Sequence, residues 1–326
     1  GSLNGDIISK MNKEDIYLYR INMSHTRCED LKGVITEIQK HTNVPICIDS
    51  EGAQVRNEKM KNSSADFVTG ATIKIHYSEI LGDNENISFT PADVVTRLQV
   101  DDIINIDFDS VSLKVKEKNA SHVLATVING GLVGSNKAAD VSRQMNLPAI
   151  TPKDRKAIII GKEMGIKHFA LSFANQQENV DEMRSLVGPN AEIISKIESK
   201  SGLRNLHGII ESTDAILIDR GDLSREVDLI LIPFLQRRII SIARSKETPV
   251  FVATNLLESM IKNKNPTRAE VNDVVSSVEH GANGLVLAAE TAIGKFPVES
   301  VRNIRRLMNQ LDRWTPNTTI NELLNS

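Results

Sequence analysis

Aromatic side chains make up only 4% of this 326-residue chain, with a single tryptophan, Trp314, and that scarcity argues against a platform for stacking nucleobases. Cysteine is scarcer still. Cys28 and Cys47 are the only two and lack the pair spacing of a zinc site, which suits free thiols in a reducing cytoplasm. Neither sign of charge dominates: 39 Lys and Arg face 42 Asp and Glu, so nothing draws the chain to nucleic acid or an anionic membrane. No apolar run is long enough to span a bilayer, and no segment has the layout of a signal peptide. What is present, 40% hydrophobic and 25% charged residues, belongs to a folded, enzyme-sized chain of one large domain or one carrying an insertion.

Short apolar runs alternate with amphipathic stretches, at 16–21, 44–49, 169–173, 193–197, 215–218, 249–253 and 284–287. Strand then helix, repeated, implies parallel βα units. Polar residues gather at the carboxyl ends of these runs, where a TIM-type (β/α)₈ barrel keeps its active site. The expected fold is therefore an α/β barrel. Seven runs are visible, and an eighth would precede Gly1, because residues 1–6 read as a loop. Between Val55 and about Gly130 the rhythm changes to short β-rich pieces such as 71–75 and 112–116. That predicts a small all-β domain inserted in one barrel loop, either a lid that excludes water or a passive decoration. The expected boundaries are barrel over 1–54 and 131–310, insertion over 55–130, and a tail over 311–326.

Lys196 and Glu198 interrupt the apolar run at 193–197, and alternation along a strand points both to one side. Such a pair is costly in a dry sheet unless it forms a buried salt bridge or something charged binds between them. Asp222 follows the next run beside Gly221, where a helix can start. Two acids from successive strand ends can hold a divalent cation, with the lysine serving a phosphate as a point charge.

The motifs resemble those of the pyruvate kinase family. Arg20-Ile21-Asn22-Met23-Ser24-His25, Ile194-Ser195-Lys196-Ile197-Glu198 and Arg220-Gly221-Asp222-Leu223 match its segments in order. Residues 253–261, running on to Pro266-Thr267-Arg268-Ala269-Glu270, resemble its longest signature, and Glu290-Thr291-Ala292 closes the series. The resemblance implies Mg²⁺, or Mn²⁺, on Glu198 and Asp222, and phosphoryl steadied by Lys196. Arg20 would hold a phosphate. Backbone N–H groups at Arg220, Gly221 and Asp222 would face the carboxylate of phosphoenolpyruvate, and Thr254 lies where the family helps protonate the enolate. Asn22, Ser24, Asp49 and Ser50 match its K⁺ ligands, with serine at 50 for the usual threonine. On the nucleotide side, for ADP or ATP, stand Asn22, His25, Arg56 and Lys137. His25 could equally be a structural hydrogen-bonder.

Several positions depart from the family. Where its usual order is Asp-Thr-Lys-Gly-Pro-Glu-Ile-Arg, this chain has 49–56 with Glu51, Ala53 and Gln54, and Arg56 in place. Asp219 replaces a small alanine, bringing a third acid toward the substrate's carboxylate unless its side chain turns away. Residues 134–140 match the family's return hinge poorly. After about Met308 only a short polar tail is expected, without the family's C-terminal domain. The resemblance implies a cytoplasmic enzyme that converts phosphoenolpyruvate and ADP to pyruvate and ATP. The alternatives are metal-dependent pyruvate-enolate chemistry of lyase or aldolase type, and a degenerate binding protein. The helix face at 271–278 permits a homo-oligomer.

Overall fold

Regular structure begins with a helix where a loop was expected. In the computed structural model, which describes residues 3–107, 110–143, 145 and 147–325, α1 (Gly5–Met11) starts on Asn4. The Asn4 side chain accepts the N–H groups of Asp6 and Ile7, and Ile8 and Met11 are buried. The helix was missed because its apolar face holds so few residues; Gly1 and Ser2 lie outside the described residues. β1 (Tyr19–Asn22), α2 (Cys28–Gln39) and β2 (Ile46–Asp49) follow.

The chain divides into two units, Ala53–Pro148 and the remainder. The inner unit holds β3 (Arg56–Asn57), β4 (Ser64–Phe67), β5 (Thr72–His76), β6 (Asn86–Thr90) and α3 (Asp93–Arg97). It continues with β7 (Ile103–Ile106), β8 (Val111–Lys118), β9 (His122–Asn129), β10 (Gly131–Gly134) and β11 (Ala139–Val141). In β5, exposed Thr72 and Lys74 alternate with buried Ile73 and Ile75, the signature of a sheet with one face on a core. Two expectations are corrected. The unit runs beyond 130, because β10 pairs with β4 and β11 with β7, non-local pairings that composition does not encode. It is also not all-β, since α3 buries Val94 and Val95.

After α4 (Pro152–Glu163) the alternation resumes with β12 (His168–Leu171), α5 (Gln177–Val187) and β13 (Glu192–Ile197). Then come α6 (Lys200–Arg204), α7 (Leu206–Ser212), β14 (Ala215–Asp219), α8 (Arg220–Glu226), α9 (Ile232–Ser245) and β15 (Val250–Ala253). The last elements are α10 (Arg268–Glu279), β16 (Gly284–Val286), α11 (Ala289–Ala292), α12 (Pro297–Arg313) and α13 (Ile320–Leu324). Residues 311–326 thus include the end of α12 and a capped helix, where a plain tail was expected.

The larger unit is a barrel-like parallel sheet. Among the described residues it has seven strands, in the order β1-β2-β12-β13-β14-β15-β16. β2 and β14 are buried at every position, as strands covered on both faces must be. One alternation faces the helices, with Ile48, Phe169, Ile193, Ile216 and Ile218 among Leu31, Ile35, Val180, Ile209 and Ile239. The other is a cluster of smaller side chains, Cys47, Ala170, Ile194, Ala215, Leu217 and Ala253. The sheet curls on itself: Tyr17, just before β1, stacks on Phe251 of β15 at 5.7 Å and donates its hydroxyl to Glu192. Among the described residues, no helix is long and apolar enough to cross a membrane.

Candidate active site

The polar ends of β1, β2, β12, β13, β14 and β15 meet at one end of the barrel. Lys196 and Glu198 lie on one side of the chain, as alternation requires, and both are buried. Lys196 Nζ is 2.8 Å from Glu198 Oε1, 3.4 Å from Asp49 Oδ1 and 3.9 Å from Asp219 Oδ2, and it donates to Ser172 Oγ at 3.0 Å. Arg20 reaches Asp49 Oδ2 at 2.7 Å from β1. Ser172 is the residue sequence reasoning missed. It passes its hydroxyl proton to Ser50 O at 2.6 Å while its own N–H goes to Ser50 Oγ, locking the ends of β2 and β12 together. Its only sequence signal is that it is a polar residue near the carboxyl end of the apolar run at 169–173.

Asp219 ends β14 and turns into the site. Its Oδ1 accepts the Thr254 hydroxyl at 2.6 Å and the Gly221 N–H at 3.2 Å. A Cβ on Gly221 would meet Thr254 Cγ2 at 2.7 Å, so only glycine lets the start of α8 approach this turn. Thr254 has φ 77° and Asn255 φ 56°, and a left-handed β-branched residue is strained by about 1–3 kcal/mol. Arg220 holds that turn. Its guanidinium donates to the Thr254 carbonyl at 2.6 Å and pairs with Asp273 at 2.8 Å, so the side chain faces away from the acids. Asp273 is a second partner that sequence did not single out.

Arg20 and Lys196 lie among four carboxylates, those of Asp49, Glu198, Asp219 and Asp222, with Arg225 3.1 Å from Asp222 at the edge. Burial pushes the Glu198 carboxyl up to about 8, against the pull of Lys196 and with the repulsion of Asp219 and Asp222. Burial also acts on Asp219, but Lys196, the Thr254 hydroxyl and Arg20 outweigh it and hold that carboxyl below its usual range. Lys196 is held protonated in the same way, its burial overcome by Asp49, Glu198 and Asp219.

Glu198, Asp219 and Asp222 each offer an oxygen within 4.8 Å of the others. Glu198 Oε2 accepts the Phe173 N–H at 2.7 Å, and the equally buried Oε1 lies 2.8 Å from the Lys196 ammonium. Three carboxylates converging on one point are hard oxygen ligands of the kind that fit a small divalent cation.

The other sequence candidates are differently placed. Asn22 Oδ1 accepts the Ser24 N–H at 2.8 Å, Ser50 Oγ accepts the Ser172 N–H, and Asp49 is bracketed by Arg20 and Lys196. His25 is exposed. Arg56 donates to Gln54 Oε1 and Asn136 O, and Lys137 pairs with Asp107, all within the Ala53–Pro148 unit. Glu51 pairs with Lys153 at 2.9 Å, which compensates the charge reversal at that position. Glu290 accepts the N–H groups of Leu257 and Ala288, fastening the loop after β15 to α11.

A family model described as pyruvate kinase, barrel domain, matches residues 1–301. Among curated relatives, the pyruvate kinase of Geobacillus stearothermophilus is 34% identical over 300 residues, spanning 88% of this chain and 51% of the relative. That of Clostridium perfringens is 32% identical over 304 residues, 90% of this chain and 64% of the relative. The chain thus spans between half and two thirds of the length of these relatives. A crystal structure of a pyruvate kinase from Cryptosporidium parvum superposes with TM-score 0.85 at 28% identity, over 96% of this chain and 67% of the other.

Proposed function

This chain belongs to the pyruvate kinase family, and on that premise we propose that it transfers the phosphoryl group of phosphoenolpyruvate to ADP. The bond between phosphorus and the enol oxygen breaks, and a bond to the terminal phosphate oxygen of ADP forms. The enolate left behind takes a proton at its methylene carbon and becomes pyruvate.

The observation that carries this reading is the buried Lys196 ammonium 2.8 Å from Glu198, whose carboxylate converges with those of Asp219 and Asp222. Glu198 and Asp222 are the residues that would hold Mg²⁺ or Mn²⁺. A divalent cation there supplies charge neutralisation for the phosphate and enolate oxygens. Lys196 adds a fixed positive charge that needs no reorganisation during transfer, since Ser172, Asp49 and Glu198 already orient it. Arg20, anchored on Asp49, presents the rest of its guanidinium to a phosphate. Thr254 stands where a proton reaches the enolate. Asn22, Ser24, Asp49 and Ser50 are the residues that would hold K⁺. The buried free thiols of Cys28 and Cys47 suit a cytoplasmic setting.

Coupled measurement of pyruvate and ATP formation tests the proposal, with Mg²⁺ or Mn²⁺ supplied. Turnover dependent on phosphoenolpyruvate, ADP and cation is expected. Asp219 favours a second reading, because its carboxylate already takes donors that a substrate anion could use. Exchange of pyruvate methyl protons with solvent in the absence of any phosphoryl transfer would replace the kinase reading with enolate chemistry. Neither activity would leave a binding protein on a retained barrel.

A further inference from the structure

Asp219 has no part in the phosphoryl transfer described above, yet it is held firmly in the site. It is 9% exposed, its Oδ1 is fixed by the Thr254 hydroxyl and the Gly221 N–H, and its Oδ2 lies 3.9 Å from Lys196. Asp219, Glu198 and Asp222 bring three carboxylates to one point, with candidate oxygens within 4.8 Å of one another. Three like charges at that range repel strongly in a partly dry site unless a cation joins them. Lys196 sits closest to Glu198, at 2.8 Å, and 3.9 Å from Asp219, so one ammonium is shared between two of the three carboxylates. Three carboxylates gathered beside one buried ammonium are a donor set suited to a divalent cation.

We propose that Asp219 is a third protein ligand for the divalent cation, so that this chain takes up the ion without help from an anionic substrate. The proposal rests on the reading that Glu198 and Asp222 hold that cation. The physical reason is ligand count. A hard divalent cation binds more tightly as anionic oxygens are added to a fixed cage. Thr254 and Gly221 fix this third oxygen in advance, so little conformational entropy is lost when the ion arrives. A site with only two protein carboxylates would leave more of the shell to water and to the substrate's own oxygens. Capping α8 is the competing role for Asp219, and it predicts no effect on cation binding from a substitution that keeps the two hydrogen bonds.

Titration calorimetry with Mn²⁺, in the absence of substrate, separates these roles. Asp219→Asn keeps an acceptor for the Thr254 hydroxyl and the Gly221 N–H while removing the charge, and Asp219→Ala removes both. Thermal melts first establish that each variant folds, and Asp219→Asn is decisive should Asp219→Ala not fold. The wild-type chain is expected to bind one equivalent of Mn²⁺ unaided, and both variants to bind it on the order of 10- to 100-fold more weakly. Oxalate, a small dicarboxylate, should restore much of the affinity of Asp219→Ala by supplying the missing oxygens, and add little to the wild type. Variants that bind Mn²⁺ as the wild type does, while Glu198→Gln does not bind it, overturn the third-ligand role and leave the underlying site standing. Unchanged Mn²⁺ binding by Glu198→Gln overturns both.

Discussion

The two sides of the barrel mouth treat charge in opposite ways. At the ends of β1 and β2 several polar groups have a protein partner: Arg20 with Asp49, Asn22 with the Ser24 N–H, Ser50 with Ser172, Glu51 with Lys153. At the ends of β13, β14 and β15 the sum does not close. Carboxylates outnumber nearby cations, with Glu198, Asp219 and Asp222 converging on one point, and Thr254 is strained. Where a region is satisfied internally, binding must displace existing partners. Where carboxylates are crowded together, binding a cation relieves a cost already present in the free protein. The difference teaches that the demand for a ligand is concentrated on the acidic side, and that substitutions there should matter most.

Replacing the central cation is expected to have the largest effect. Lys196→Met should lower kcat by about 10²- to 10³-fold, as removal of a preorganised electrostatic partner does. Mn²⁺ binding measured by calorimetry should survive it, because the carboxylates remain. Loss of both together would show that the lysine builds the cation site and does not merely adjoin it.

Freeing the strained turn comes next. Arg220→Ala removes the donors to the Thr254 carbonyl and the pairing with Asp273. Denaturant unfolding should show a loss of about 1.5–3 kcal/mol. The displaced Thr254 should reduce kcat/KM on the order of 10- to 100-fold. Arg220→Lys should recover little, since an ammonium cannot reproduce the guanidinium fork. Full activity in Arg220→Ala would show that the left-handed turn holds without its clamp.

Acid and base should act on the two sides unequally. The Glu198 carboxyl, ordinarily near 4.5, is raised to about 8 by burial, so the folded state binds its proton more tightly than the unfolded chain. Its stabilising contribution is complete below pH 4.5 and is lost as pH rises through about 8. Asp219, held below its ordinary 3.8, acts in the opposite sense, but only in more acid solution than that window. With chelator present, the melting temperature should therefore fall by about a few degrees between pH 5 and pH 8.5. Saturating Mn²⁺ should flatten the decline, which thermal scans across that range would detect. An identical slope with and without the ion would remove Glu198 from the cation site.

The smallest effect belongs to the satisfied side. Glu51→Gln breaks a half-exposed ion pair with Lys153 and should shift unfolding free energy by less than about 1 kcal/mol. A large effect on turnover would erase the contrast between the two rims.

Much of this was legible in the chain itself. Apolar runs of strand length, spaced by amphipathic stretches, determined the parallel barrel, because a strand buried on both faces has no choice but an apolar sequence. The pair Lys196 and Glu198 announced a site for the same reason, since nothing in a dry strand favours two charges two residues apart. Tertiary structure decided what these charges do. The non-local pairing of β10 with β4 and β11 with β7 carried the β-rich unit on to Pro148. Ser172 became the link between Lys196 and β2, and Arg220 turned from the site to clamp Thr254. Asp219 turned inward, where its two hydrogen bonds hold it beside Glu198. Sequence specifies which groups a strand delivers to the mouth of the barrel. Their charge balance and their mutual contacts depend on distances between strands far apart in the chain, and so exist only once the sheet has curled.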